Sequence, residues 1–287
     1  MIMRTFLRLL LILVLLAPTA AFAAKDGESR FAGADGVLIH YKSWGKGSPV
    51  ILIHGFTLNQ SFWRHQVPEL AKTHRVIALD LPGHGQSGKP RDTAYTMDFY
   101  ASAVEAVAKD AGLDRTALVG HSMGLPVIHT VMRRGQLKVD KAVFVDGAIL
   151  AHSNDPAAQA AQAAWMQAMI DGLKSPGYQL VLEQFFQGIS SKVTAKQKKE
   201  LLDTSRAIDQ HVAVSTFEHF ADAAVWAPAT YDIPVLGLYA AVSQMGVKDW
   251  LSVNYPKAKL EVWSDVDHFP QLTQPARVNK AIIAFLK

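Results

Sequence analysis

The nine residues VGHSMGLPV, Val119 to Val127, decide how the rest of the chain is read. They hold a serine in a Gly-x-Ser-x-Gly run, entered from the apolar stretch TALV and followed by a helix-like segment that ends near Arg134. In a strand, turn and helix of this kind the glycines let the backbone bend sharply enough to push Ser122 out at the top of a sheet. The start of the following helix then favours negative charge beside it. A serine hydroxyl is a poor nucleophile at neutral pH, so it also needs a base to take its proton and N–H groups to hold the resulting oxyanion. Met123, next in the chain, can offer one such N–H. The five-residue pattern is common, and its meaning depends on partners elsewhere in the sequence.

Two further stretches supply them. In LIHGFTLNQSFW, residues 52–63, His54 and Gly55 close an apolar strand, and Phe56 stands where a loop after that strand can give the second oxyanion N–H. In DVDHFPQLTQPARVNKAIIAFL, residues 265–286, His268 falls between the last strand and the last helix, where its imidazole can swing over the edge of the sheet. Of the 11 histidines it is the one placed correctly for the chain order serine, acid, histidine. His54, Gly55, Trp63 and His121 are further candidates for lining a pocket around Ser122.

From residue 36 the chain alternates strand-like and helix-like segments, so the fold class is α/β, with a largely parallel sheet covered by helices. Strands are expected in VLIHYKSWG, PVILIHG, HRVIALD, TALVGH and KAVFVDG, and Thr96 is placed to cap a helix. At about Ala151 the rhythm changes to helix after helix until about Pro228, with Thr194 and Gln197 at capping-box spacing. This reads as a helical cap, residues 151–228, inserted into a core of residues 24–150 and 229–287. Its apolar residues at helical spacing, among them Trp165, Met166, Phe185, Phe186, Phe217 and Phe220, mostly pack the cap onto the core. The remainder, with Phe185 and Phe186 as candidates, roof a pocket.

Composition narrows the classes of function. The chain has 287 residues, 49% of them hydrophobic and 19% charged, and this suits a packed globular protein. Arg4 and Arg8 precede the apolar run Leu9 to Ala17, and Ala21 and Ala23 fit a signal-peptidase site. Residues 1–23 are therefore expected to be a cleaved signal peptide, giving a periplasmic or secreted protein with no stable membrane span after cleavage. Loss of that segment removes two basic residues and no acid, taking the formal charge from +4 to +2. So slight an excess, with no basic stripe, implies no nucleic-acid partner. The absence of cysteine excludes disulfides and thiolate chemistry, nothing like HExxH occurs, and no residue pattern calls for a metal or another cofactor.

Taken together, HGF…W, DLPGHGQS, GHSMG and DHFPQL…P…V…AFL match, in order, the successive signatures of the α/β-hydrolase family, which the chain resembles over nearly all of its mature length. The resemblance implies an eight-stranded, mostly parallel sheet flanked by helices, with a helical cap after the sixth strand. It also implies Ser122 as nucleophile, His268 as base, and the N–H groups of Phe56 and Met123 as oxyanion hole, while Asp80 and His84 become parts of a structural loop.

One element departs from the family pattern. Most members carry the acid of the triad after the seventh strand, where this chain reads PVLGLYAAVSQMGVKDW and has Ser243 instead. Asp146, at the end of the sixth strand, is the first substitute, because some relatives take their acid from there. Asp249, six residues past Ser243, is the alternative. Asp265 and Asp267 stand close to His268 in sequence, which rarely lets a carboxylate meet the far ring nitrogen. A dyad without an acid is the remaining case. The expectation is an exported serine hydrolase acting on a small, fairly apolar carboxylic ester. Amide, lactone, carbon–carbon bond hydrolysis and perhydrolysis share the same machinery, and a binding protein that has lost turnover is the competing class.

Overall fold

The computed structural model describes residues 26–149, 156–243 and 246–287. Its strands are β1 (Glu28–Ala34), β2 (Val37–Trp44), β3 (Ser48–Ile53), β4 (His74–Leu79), β5 (Arg115–His121), β6 (Lys138–Val145), β7 (Val235–Ala240) and β8 (Ala258–Trp263). They form one sheet in the order β1-β2-β4-β3-β5-β6-β7-β8. Only the β1–β2 and β2–β4 pairings are antiparallel; every later pairing is parallel.

A parallel sheet is covered on both faces, so its strands are apolar on both sides while still alternating residue by residue. Ile51, Ile53, Ile77, Leu79 and Phe144 point into one core, and Val50, Leu52, Val76, Ala78 and Val143 into the other. Helices α2 (Met97–Asp110) and α3 (Gly124–Arg134) cover the first face, while α1 (Val67–Leu70) and α11 (Pro275–Leu286) contribute Val67, Leu70, Val278 and Ile282 to the second. Each such buried aliphatic side chain contributes about 1.5–3 kcal/mol. Thr96 accepts a hydrogen bond from the Phe99 N–H at the start of α2, as its position predicts.

Strand β1 departs from the expectation that the sheet begins at residue 37. Its sequence, ESRFAGA, buries only Ala32 and Ala34 and shows no apolar alternation until its end. It is an edge strand held by backbone pairing with β2, which leaves little signal in side-chain pattern.

Between β6 and β7 lie α4 (Pro156–Lys174), α5 (Tyr178–Ile189), α6 (Ala195–Arg206), α7 (Gln210–Phe220) and α8 (Ala223–Trp226), with no strand among the described residues. Both hydrogen bonds of the Thr194–Gln197 capping box are present. The helical layer is tied to the core beside His268: the Asp267 carboxylate accepts the Lys192 N–H at 2.6 Å, and the Gln197 amide donates to the Leu272 carbonyl at 2.9 Å. Two short helices, α9 (Val247–Asn254) and α10 (Pro270–Thr273), flank β8. Among the described residues no helix is long and apolar enough to cross a membrane. The expected signal peptide lies outside the described residues.

Candidate active site

Strand β5 delivers Ser122 in a left-handed conformation, φ +52°, which a residue with a side chain adopts only when its surroundings enforce it. The enforcement is visible. A Cβ on Gly120 would lie 2.7 Å from the backbone of Gly124, and one on Gly124 would lie 2.7 Å from the Ile53 carbonyl oxygen. The turn is thus packed so closely between β3 and α3 that only glycine fits on either side. The Ser122 N–H donates to the Val145 carbonyl at 3.2 Å, and the Ser122 carbonyl accepts from Ala148 at 3.0 Å, which stitches the elbow to the end of β6.

Asp146 stands at that strand end, 1% exposed and also left-handed at φ +45°. Its N–H donates to the Leu238 carbonyl at 2.7 Å, and its Oδ1 accepts the Ala240 N–H at 2.7 Å. These bonds to β7 turn Oδ2 toward His268, whose Nδ1 lies 2.5 Å away. With Nδ1–H given to the carboxylate, Nε2 is the nitrogen left free to accept a proton. His268 and Ser122 face the same cavity, and Ser122 makes no side-chain hydrogen bond to a described residue. Catalytic contacts of this kind commonly tighten only when substrate is bound.

The N–H groups of Phe56 and Met123, which also border the cavity, have no hydrogen-bond partner among the described residues. The loop carrying Phe56 is held by two buried histidines. His54 donates from Nδ1 to the Gly55 carbonyl at 2.8 Å and accepts the Leu81 N–H on Nε2 at 3.0 Å. His84 donates to the Pro82 carbonyl at 2.8 Å and accepts the Thr57 N–H at 3.2 Å. Burial lowers the pKa of His54, and burial followed by the neighbouring His54 pushes that of His84 down to about 3. Both rings are therefore neutral, as their one-donor, one-acceptor pattern requires.

The cavity measures about 410 Å³ and is mainly apolar, with Phe56 from the core and Trp165, Met166, Phe185, Phe217 and Phe220 from the cap. Gln162, Thr216 and Ser243 are the neutral polar residues of the lining, the Thr216 hydroxyl being engaged by Tyr100 and the Val212 carbonyl, and no lysine or arginine borders the cavity among the described residues. Sequence reasoning missed Gln162 and Thr216, and had Ser243 only as the residue in place of the family's usual acid. Thr216 precedes Phe217 on α7, but nothing in its sequence distinguishes it from a solvent-facing threonine.

Several expectations need correction. Asp249 is exposed in the first turn of α9 and does not reach His268, because the α9 helix carries it away from the sheet edge. Trp63 is buried in the core on the other face of the sheet, with Val50, Leu52 and Trp263 around it, so it lines no part of the cavity. Phe186 turns away from the cavity to stack on Phe269 beside Leu58 and Phe62. His54 is consumed by its backbone bonds, Gly55 is a close-approach point where a Cβ would meet that of Ser122 at 3.0 Å, and His121 is buried and does not border the cavity. Of the additional lining candidates, only Phe185 borders the cavity.

The same three residue types meet a second time. Ser29 Oγ lies 2.8 Å from His40 Nε2, and His40 Nδ1 lies 2.9 Å from Asp80 Oδ2. Here the surroundings differ. Asp80 also accepts the N–H groups of Gln60 and Gln86, and Ser29 sits exposed on the edge strand. Burial alone would raise the Asp80 pKa, yet those N–H groups and His40 together hold it below the usual carboxylate value. This cluster fastens β1 and β2 to the loop after β4.

Comparison with known proteins agrees with this architecture. A family model described as alpha/beta hydrolase fold matches residues 48–234. The chain belongs to the α/β-hydrolase fold family. Within that family it is similar to a non-heme haloperoxidase of Rhodococcus erythropolis, 40% identical over 114 residues that make up 39% of this chain and 41% of that protein. It is also similar to the 2-hydroxy-6-oxo-6-(2'-aminophenyl)hexa-2,4-dienoic acid hydrolase of Metapseudomonas resinovorans, 41% identical over 33% of this chain and 34% of that one. The matched stretches thus span between a third and about two fifths of these curated relatives. Among solved structures, an esterase from Rhodococcus sp. ECU1013 superposes with a TM-score of 0.74 at 25% identity, covering 90% of this chain and 98% of the other.

Proposed function

We propose that this α/β-hydrolase is a serine hydrolase that cleaves uncharged, apolar carboxylic esters through an acyl-enzyme intermediate. The observation carrying the proposal is the 2.5 Å contact between His268 Nδ1 and Asp146 Oδ2, on a cavity shared with a strained Ser122 and two unpartnered N–H groups. In this reading His268 Nε2 takes the Ser122 proton as Oγ attacks the ester carbonyl, and the Phe56 and Met123 N–H groups receive the oxyanion. The imidazolium, stabilised by Asp146, then protonates the leaving alkoxide. Water activated by the same ring hydrolyses the acyl-enzyme and restores Ser122.

The lining supports the choice of substrate. A carboxylate-bearing substrate entering an apolar cavity bordered by no lysine or arginine among the described residues would lose its hydration with little opposite charge to offset it, so anionic carbon–carbon hydrolase substrates fit poorly. Similarity to the Rhodococcus haloperoxidase favours a second activity at the same centre, with hydrogen peroxide replacing water in the second step to release a peroxyacid. Export, read from residues 1–23, belongs to the same proposal and is tested by N-terminal sequencing of protein recovered from outside the cytoplasm.

The deciding experiment is labelling with a fluorophosphonate, followed by peptide mass spectrometry. Modification at Ser122, lost in Ser122→Ala, is expected together with turnover of p-nitrophenyl butyrate. An unlabelled wild type, or equal labelling of the variant, refutes the proposal and returns the chain to the class of binding proteins.

A further inference from the structure

The residue before Ser122 has no role in the chemistry just described, yet its surroundings are unusual. His121 is 2% exposed, and among the described residues the one hydrogen bond of its side chain runs from Nε2 to the backbone carbonyl oxygen of His268 at 2.8 Å. A carbonyl only accepts, so the proton is on Nε2. Burial, followed by the proximity of His268, pushes the His121 pKa down to about 3. The ring is therefore neutral, and Nδ1 holds a bare lone pair. That nitrogen is buried without a partner among the described residues and faces Gly55, where a Cβ would approach it to 3.0 Å.

An unsatisfied buried polar atom destabilises a fold by about 1–3 kcal/mol. A phenylalanine would fill the same space against Phe269, whose ring centre is 5.2 Å away, without that penalty. What only a histidine's Nε2 brings to this position is the bond to His268.

The bond acts on one peptide unit. The carbonyl of His268 and the N–H of Phe269 belong to the same plane; His121 holds the oxygen, and Asp267 Oδ1 holds the N–H at 3.0 Å. Rotation of this plane would redirect the His268 backbone and swing the imidazole away from Asp146. His121 and Ser122 are consecutive on β5, so the strand that presents the serine also sets the position of the histidine. We propose that His121 is a positioning residue, whose Nε2–H bond to the His268 carbonyl fixes the imidazole in register with both Asp146 and Ser122. The inference rests on the reading of His268 as the base, and its test is kept separate from that reading.

The side chain of glutamine places an N–H close to where histidine has Nε2, whereas asparagine places one where histidine has Nδ1 and phenylalanine has none. His121→Gln, His121→Asn and His121→Phe therefore separate the bond from polarity and from bulk. Two readouts apply. The first, without substrate, is the downfield proton resonance of the His268 Nδ1–H bonded to Asp146. It is expected to persist in wild type and His121→Gln, and to broaden or vanish in His121→Asn and His121→Phe. The second is kinetic: kcat on p-nitrophenyl butyrate should fall about 10- to 100-fold in the Asn and Phe variants, with KM within about 2-fold and most of the rate kept by Gln. A purely structural role would lower the melting temperature and leave the resonance and kcat unchanged; that result, or equal behaviour of Gln and Asn, overturns the proposal. If the wild type hydrolyses no ester, the resonance still decides the role of His121, and labelling of Ser122 decides the function.

Discussion

Replacement of Asp146 by asparagine tests the site most directly, because the carboxylate stands where most family members have none of catalytic use. The substitution keeps the volume and the left-handed backbone. Its amide oxygen can retain the bond from the Ala240 N–H, now 2.7 Å, and that directs the NH₂ group at His268 Nδ1 across the present 2.5 Å contact. Two donors cannot face each other at this distance, so the imidazole must move its proton to Nε2, the nitrogen that accepts from Ser122 in the proposed mechanism. In a serine triad the wrong tautomer lowers kcat by about 10⁴, or about 5–6 kcal/mol of transition-state stabilisation. The assay is kcat/KM on p-nitrophenyl butyrate, with melting temperature as the control for folding. Asp249→Asn, on the exposed face of α9, should leave kcat/KM within about 2-fold. Adding Ser243→Asp to Asp146→Asn returns a carboxylate to the loop after β7, on the cavity wall shared with His268, and should recover part of the rate. Activity of Asp146→Asn within 10-fold of wild type would refute the reasoning.

Three further outcomes are expected. Ser29→Ala should leave fluorophosphonate labelling intact and lower stability by about 1 kcal/mol, since the second Ser–His–Asp cluster fastens an edge strand; phosphonate found on Ser29 would contradict this. Stability should fall on acidification. Burial, with Arg133 adding to it, pushes the His129 pKa down to about 4, and His84 and His121 are lowered to about 3. The unfolded chain thus binds more protons below the ordinary value of 6.5, and each pH unit from there toward the folded values removes up to about 1.4 kcal/mol per histidine. Urea midpoints measured between pH 7 and 4 should decline, and His129→Leu should flatten the decline; a midpoint independent of pH over this range would rule the account out. Asp267→Ala removes the acceptor for the Lys192 N–H, so limited proteolysis in the loop between α5 and α6 should accelerate several-fold relative to wild type.

Much of the molecule was legible in one dimension. Apolar runs with a β period, the Thr96 cap, the Thr194–Gln197 capping box and the change of rhythm near residue 151 are local signals, and each appears as an element of the expected kind. Strand β1 was not legible, because an edge strand of exposed residues is specified by backbone pairing with β2, whose partners lie 3 to 15 residues further along the chain, rather than by its own pattern. Pocket residues were judged poorly for a related reason: periodicity tells which face of a helix is apolar, not what that face meets. Phe185 and Phe186 are adjacent on α5, and one borders the cavity while the other stacks on Phe269.

The elbow around Ser122 is a matter of chain order alone, since glycine spacing between a strand and a helix needs no distant partner to be recognised. The acid was of the other kind. Asp146 and Asp249 are 103 positions apart and chemically identical, and no local feature of either sequence ranks them by distance to His268. That ranking came from the crossover that sets β6 beside β5 and β7, from the two backbone bonds that turn the Asp146 carboxylate, and from the helix that carries Asp249 away. A carboxylate becomes a partner for an imidazole through angstroms of packing, which exist only once the sheet is assembled.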